Sequence, residues 1–233
     1  MLETLRKAIL AKKSRACKGL TPKREFFWPE GFNEAFSLRL FRTLYEAEVN
    51  AMNYDYVYND KVADHIQMLS NWFSGEGPNN LLMMGYCGTG KSTLLNVIAD
   101  FLDFKRIRFF RASANVLTNQ YEQFRDTSSF YKEALSADIL LLDDFGSEHP
   151  ESISYAQELF PIADLISHRY NLRQMTFITT NLDPEQIKAR YGHRILDRLL
   201  GDYACEVFNS TSFRAMNLYN TKYWYEVNGP QKQ

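Results

Sequence analysis

Eight consecutive residues, Gly85-Tyr86-Cys87-Gly88-Thr89-Gly90-Lys91-Ser92, carry the spacing of a phosphate cradle, with glycines at its ends and centre and then a lysine and a hydroxyl. Glycine lets the backbone curl so that successive N–H groups point inward at phosphate oxygens. The apolar run at 81–84 reads as a strand, and Leu94, Leu95, Val97, Ile98 and Phe101 read as the helix that follows. The N-terminus of that helix adds the positive end of its dipole. In this frame Lys91 reaches the β- and γ-phosphates and the Ser92 hydroxyl ligates Mg²⁺, while Tyr86, Cys87, Thr89 and Thr93 complete the loop around the phosphates. An incidental glycine-rich turn would need neither the strand before it nor the helix after it.

Ile139-Leu140-Leu141-Leu142 supplies four aliphatics for a buried central strand, with Asp143 and Asp144 where it emerges. Ligands sit at that carboxyl end of a parallel sheet. One carboxylate there can hold the water shell of Mg²⁺ beside Ser92, and the other can orient or deprotonate an attacking water. We assign Asp143 to the metal and Asp144 to the water. A third apolar strand, 175–180, ends on Asn181. The amide of Asn181 is placed to hydrogen-bond that water or the terminal phosphate, unless it is simply the first residue of a loop.

In the segment 191–200, Ile195, Leu196, Leu199 and Leu200 make an apolar stripe, and Arg194 and Arg198 share a face at i, i+4. Two guanidinium groups on the rim of such a sheet suit charge stabilisation at a phosphoryl group. Equally, they suit a solvated face paired to Asp197 or Asp202. Arg214 opens a final helix and can turn back onto the phosphates.

Strand and helix patterns alternate from about residue 53, as in a parallel sheet covered by helices. Asn59 caps a helix bearing Val62, Ile66, Leu69 and Phe73, and the helix after the phosphate loop runs to about Phe104. Residues 107–111 read as the next strand, Ser113 as the cap of a helix carrying Val116, Leu117, Tyr121 and Phe124, and Asp183-Pro184 as another helix start. Residues 1–24 hold eight basic side chains against Glu3 alone, with Leu2, Leu5, Ile9 and Leu10 at helical spacing: a basic amphipathic helix. Residues 33–52 form a second helix with Phe36, Leu40, Phe41 and Leu44 on one face, either packed on the main domain or offered to a partner protein. The expected division is therefore a helical partner-binding segment at 1–52, a nucleotide domain at 53–228 and a disordered tail at 229–233.

The 233 residues are 45% apolar and 24% charged with a net charge of −1, so any nucleic-acid contact must use local patches. Cys17, Cys87 and Cys205 are too few and too far apart for a disulfide framework or a paired-cysteine metal site. No apolar stretch approaches 18 residues. The expectation is a soluble cytoplasmic protein with no membrane partner.

Taken in order, GYCGTGKST (85–93), ILLLDDFGSE (139–148), TTN (179–181), YGHRILDRL (191–199) and SFR (212–214) resemble the AAA+ ATPases. Within them the likeness is to bacterial replicative-helicase loaders of the DnaC/DnaI type and the related IstB transposition helpers, over about residues 54–224. It implies an α/β fold, a P-loop NTPase parallel sheet covered by helices, with a truncated lid and a helical N-terminal segment. It implies ATP or ADP and Mg²⁺ as ligands, Asn181 as sensor 1, Arg214 as sensor 2, and Arg198 as an arginine finger in the neighbouring subunit's site.

The resemblance also implies an ATP-hydrolysing helicase loader in DNA replication. Such a loader is a nucleotide-dependent homo-oligomer that binds the replicative helicase and, after its second strand, single-stranded DNA. That region offers Phe109, Phe110, Arg111, Tyr121, Phe124, Arg125, Phe130, Tyr131 and Lys132. Rings among cations stack bases at about 1–3 kcal/mol each, and Arg125, Tyr131 and Lys132 are the expected contacts. Core packing explains most of the rings just as well.

Two departures bear on this. Asp144 stands where many relatives have glutamate, one methylene shorter, which points to a slow ATPase; Cys17 stands alone where some loaders carry a zinc cluster. The alternative client is a transposase on duplex DNA. A small-molecule kinase would need an Arg-rich lid between 143 and 181, and a transporter ATPase an L-S-G-G-Q-like stretch; the sequence has neither. A scaffold that binds nucleotide without hydrolysing it stays open.

Overall fold

The computed structural model describes residues 27–54, 56–75, 78–149, 152–154 and 157–208. In chain order the elements are α1 (Glu34–Ala51), α2 (Asp60–Phe73), β1 (Asn80–Gly85), α3 (Lys91–Phe104), β2 (Phe110–Ser113), α4 (Ala114–Phe124), α5 (Ser129–Ser136), β3 (Ile139–Phe145), β4 (Ser152–Ser154), β5 (Gln157–Leu159), α6 (Pro161–Leu172), β6 (Met175–Thr180), α7 (Pro184–Tyr191), α8 (His193–Asp202) and β7 (Tyr203–Phe208).

Three consecutive apolar runs become the middle of one sheet, because a strand covered on both faces has no polar side to show. Five strands pair in the order β2-β3-β6-β1-β7, all parallel, and β4 and β5 form a separate antiparallel hairpin. Alternate residues of β1, β3 and β6 serve two cores. Leu81, Met83, Ile139, Leu141, Met175 and Phe177 face α1, α2 and α3. Leu82, Met84, Leu140, Leu142 and Ile178 face the helices on the other side. The parallel sheet brings the carboxyl ends of β1, β3 and β6 together at one edge, where Gly85, Asp143 and Asn181 emerge.

Local capping sets the helix starts as the sequence indicates. Asn59 accepts from the Val62 amide at 3.1 Å and Ser113 from the Val116 amide at 3.3 Å. Asp183 and Gln186 form a reciprocal capping box before the helix that Pro184 opens. α1 is packed on the sheet's first face: Phe41 is fully buried, with its ring centroid 5.0 Å from that of Phe101 and 5.3 Å from that of Phe73. Phe27 and Trp28 join the same aromatic cluster. Of the four residues read onto one face of α1, Phe41 is buried, Leu40 and Leu44 are half-buried, and Phe36 is exposed; Ser37 and Tyr45 complete the inward stripe. Residues 27–51 thus share a core with the sheet.

Two differences from the sequence reading have physical reasons. The strand read at 107–111 begins only at Phe110: Arg106 turns the chain with φ 57, Ile107 donates its amide to Leu102, and Ile107 and Phe109 plug the base of the first core before pairing starts. β7 was not anticipated, because Tyr203–Phe208 alternates buried and exposed positions at the sheet's edge and lacks a long apolar run. Among the described residues no helix is long and apolar enough to cross a membrane. The basic segment 1–24, Cys17, Arg214 and the tail 229–233 lie outside the described residues.

Candidate functional site

The chain leaves β1 through Gly85 at φ +146, in contact with the end of β7: a β-carbon there would sit 2.3 Å from the carbonyl oxygen of Phe208. Only glycine tolerates both the conformation and the approach. Gly88 and Gly90 also have positive φ, and Gly90 is the N-cap of α3, so the loop curls into a helix N-terminus as its spacing implies. Thr89 is buried and ties the loop to itself by donating to the Tyr86 carbonyl at 2.8 Å. Tyr86 is 74% exposed and Cys87 is exposed, so these two face outward. Thr93 lies in the first turn of α3.

Lys91 is 5% exposed, and its ammonium donates to the carbonyls of Gly85 (2.7 Å) and Tyr86 (2.8 Å) and to Asn181 Oδ1 (2.9 Å). The phosphate loop and the end of β6 therefore meet at one cation. Across the mouth, Ser92 Oγ donates to Asp143 Oδ1 at 3.1 Å. A hydroxyl beside a carboxylate is a hard oxygen donor set that suits Mg²⁺, which keeps several waters and takes other ligands from phosphate. Among the described residues no group of three His, Cys, Asp or Glu could hold a metal unaided. Asp144, the adjacent carboxylate, stands in a left-handed turn with φ +55. Lys91 with Asn181 and Ser92 with Asp143 thus meet at the mouth of the sheet, with Asp144 the next residue along the chain.

Arg194 and Arg198 part company. Arg194 is exposed, whereas Arg198 is 8% exposed, its guanidinium 5.0 Å from the centroid of the Tyr170 ring and its Nη1 without a hydrogen-bond partner. Tyr170 lies near the C-terminus of α6, which leads back to the amino end of β6, so Arg198 faces away from this chain's own phosphate loop. Among the residues expected to meet DNA, Arg125 is half-buried and Lys132 is exposed. Tyr131 is corrected: it is 6% exposed, its hydroxyl donates to the Pro161 carbonyl at 2.7 Å, and its ring packs against Tyr121, so it belongs to the core and is no stacking platform.

Sequence reasoning missed Glu148, the acid that closes the second motif. Only 5% exposed, it accepts from the Gly146 amide at 3.0 Å and from the Tyr191 hydroxyl, and it lies 3.9 Å from Arg190 Nη2. It joins the loop after β3 to α7. Burial, followed by the Glu148 charge, pushes the Tyr191 hydroxyl's pKa well up, so this phenol stays a donor. The acid sits five positions after Asp143, but the pairing is across the fold and has no local signal.

Among curated proteins the chain is 26% identical over 142 residues to the replicative helicase loader DnaC of Buchnera aphidicola subsp. Acyrthosiphon pisum (strain APS), covering 58% of this chain and 56% of that protein. The chain thus spans about half the length of the curated relatives it matches. Among solved structures, that of the DnaC helicase loader superposes with a TM-score of 0.51 at 22% identity, covering 66% of this chain and 94% of that one. That of DnaI superposes with a TM-score of 0.53 at 17% identity, covering 68% and 87%. These two likenesses speak to the fold. A model of the ATPase family associated with various cellular activities (AAA) matches residues 81–200, just over half of the chain and the stretch holding Lys91, both carboxylates, Asn181 and Arg198, and the chain belongs to that family.

Proposed function

We propose that this protein is an ATP-driven switch that loads a replicative helicase onto single-stranded DNA. The observation that carries the chemical half is the convergence of Lys91, Ser92, Asp143 and Asn181 at one mouth of the sheet. The similarity to helicase loaders supports the biological half. The phosphates of ATP lie along residues 85–93, with the Lys91 ammonium on the terminal pair. Ser92 and Asp143 would hold Mg²⁺, which would supply charge neutralisation at the phosphates. Asp144 orients the attacking water, and Asn181 senses the γ-phosphate through the lysine they share. Arg214, outside the described residues, is assigned the sensor-2 role on the resemblance alone.

A cavity of about 270 Å³ between α2 and β7, whose lining includes Lys61, Asp64, His65, Met68, Glu206 and Phe208, adjoins the loop, since Phe208 pairs with Gly85, and it is our proposed seat for the base. Burial lowers the His65 pKa to about 4, so this imidazole is neutral at physiological pH.

A guanidinium from α8 of a neighbouring copy completes the site, and Arg198 is the residue proposed for it on the family resemblance; 8% exposed over the Tyr170 ring in the single chain, it must swing outward on assembly to do so. Arg125 and Lys132 are the proposed DNA contacts, through phosphate charge rather than stacking. The short Asp144 side chain makes turnover slow, and assembly with helicase raises it.

The test is ATP turnover of the full chain alone, with single-stranded DNA, with duplex, and with a replicative helicase. Stimulation by helicase together with single strands is the expected result. Stimulation by duplex alone would replace the loader reading with that of a transposition helper. In the stimulated assembly, Arg198→Ala lowers turnover by about tenfold or more while nucleotide affinity of the isolated chain stays within twofold. Unchanged turnover would remove Arg198 from the neighbour's site.

A further inference from the structure

β3 is irregular where its two carboxylates emerge. Pairing with β6 runs from Ile139 to Leu142, shifts, and resumes at Phe145 opposite Thr180. In the gap Asp144 holds φ +55, a left-handed conformation that few residues with a β-carbon adopt and that aspartate tolerates better than most.

The groups that hydrogen-bond this segment are hydroxyls of β6. Thr179 is fully buried; its Oγ1 accepts from the Asp144 amide at 2.9 Å and donates to Asp143 Oδ1 at 2.5 Å. The direction is forced, because an amide N–H only donates and a carboxylate only accepts, so the one hydroxyl proton goes to Asp143. Thr180, also fully buried, donates to the Phe145 carbonyl at 2.6 Å and accepts from the Leu182 amide at 3.1 Å. The next residue, Asn181, receives the Lys91 ammonium. The last two side chains of β6 and the residue that follows it thus bracket the shifted segment and bind the phosphate-loop lysine. Packing alone would be served by valine at 179, which has the same shape and suits a central strand.

We propose that Thr179 is a positioning residue for ATP hydrolysis: its hydroxyl turns the Asp143 carboxylate toward Ser92 and pins Asp144 in its left-handed turn. It touches neither nucleotide nor metal and acts through both carboxylates. The assignment rests on the nucleotide-hydrolysis reading above, yet its structural half is testable without nucleotide.

The experiment compares wild type, Thr179→Val and Thr179→Ser, with Thr179→Ala in place of valine if that variant does not fold. In nucleotide-free protein, amide hydrogen exchange at Asp144 speeds up by about tenfold or more in the valine variant and returns to near wild type with serine. In steady-state turnover the valine variant loses about tenfold in kcat with KM within about threefold, and serine restores it. Unchanged exchange at Asp144 in the valine variant overturns the proposal, as does a valine variant with wild-type kcat or a serine variant as impaired as valine. A wild-type chain that hydrolyses no ATP under any condition sinks the nucleotide reading and the catalytic role together, while the exchange comparison still decides whether Thr179 holds the turn.

Discussion

Lys91→Ala lowers ATP turnover by about a hundredfold or more and weakens ATP binding by about tenfold or more. The ammonium lies at the mouth of a buried sheet, 5% exposed, where charge interactions are screened far less than in water. Its three named acceptors, two carbonyls and an amide oxygen, are neutral. A phosphate oxygen is a stronger partner for an ammonium, so nucleotide binding draws the charge off the loop and onto the substrate. Alanine removes that interaction and also disconnects Asn181 from the loop. Thermal unfolding of the variant checks that the loop, which loses two internal hydrogen bonds, still folds. Turnover within a few-fold of wild type would exclude Lys91 from the chemistry and with it the phosphate-loop reading.

Much of this site was legible because its parts are consecutive in the chain. The loop residues 85–92 lie side by side, and Asp143 and Asn181 each directly follow a short segment, 139–142 and 175–180, that reads as a buried strand. What was not legible depends on which side chains meet across elements. Thr179 was visible as a residue of a strand, but its hydroxyl acquires a role only through a register shift in β3 that no local pattern encodes. The interleaved rings and cations between 121 and 132 could not reveal which rings turn inward, and the Tyr131 hydroxyl found the Pro161 carbonyl thirty residues away. Arg194 and Arg198 satisfy the same i, i+4 rule, yet only Arg198 lies with Ile195 and Leu199 on the side of α8 that packs inward. Long side chains lie along apolar surfaces as readily as they reach solvent, and spacing cannot separate the two.

Arg169 is the extreme case, and replacing it by methionine is expected to destabilise the fold by about 3–5 kcal/mol. Nothing in the sequence around it marks a core position, yet it is fully buried. Its Nη1 donates to the carbonyls of Ala134 and Ala137, both at 2.8 Å, Nη2 to the Met175 carbonyl at 2.7 Å, and Nε to Thr176 Oγ1 at 3.0 Å. Ala134 belongs to the last turn of α5, where carbonyls lack helical partners and a cation is favoured by the helix dipole. One guanidinium thus joins the end of α5 to the first residues of β6, the strand that ends in Thr179 and Thr180 and leads into Asn181. Methionine fills similar volume but leaves three carbonyls without these donors. For a domain of this size each kcal/mol moves Tm by about 2–4 °C, so a drop of about 10 °C is the expected reading in thermal unfolding. Burial lowers the Arg169 pKa to about 10, which still leaves it charged in both folded and unfolded chains at neutral pH. The folded chain binds fewer protons than the unfolded one only above that value, so the linked change in stability begins there and rises with pH. Between about pH 6 and 9 the difference between wild type and Arg169→Met is therefore constant. A loss below about 1 kcal/mol would show that water reaches these carbonyls, and that the guanidinium is not what holds α5 to β6.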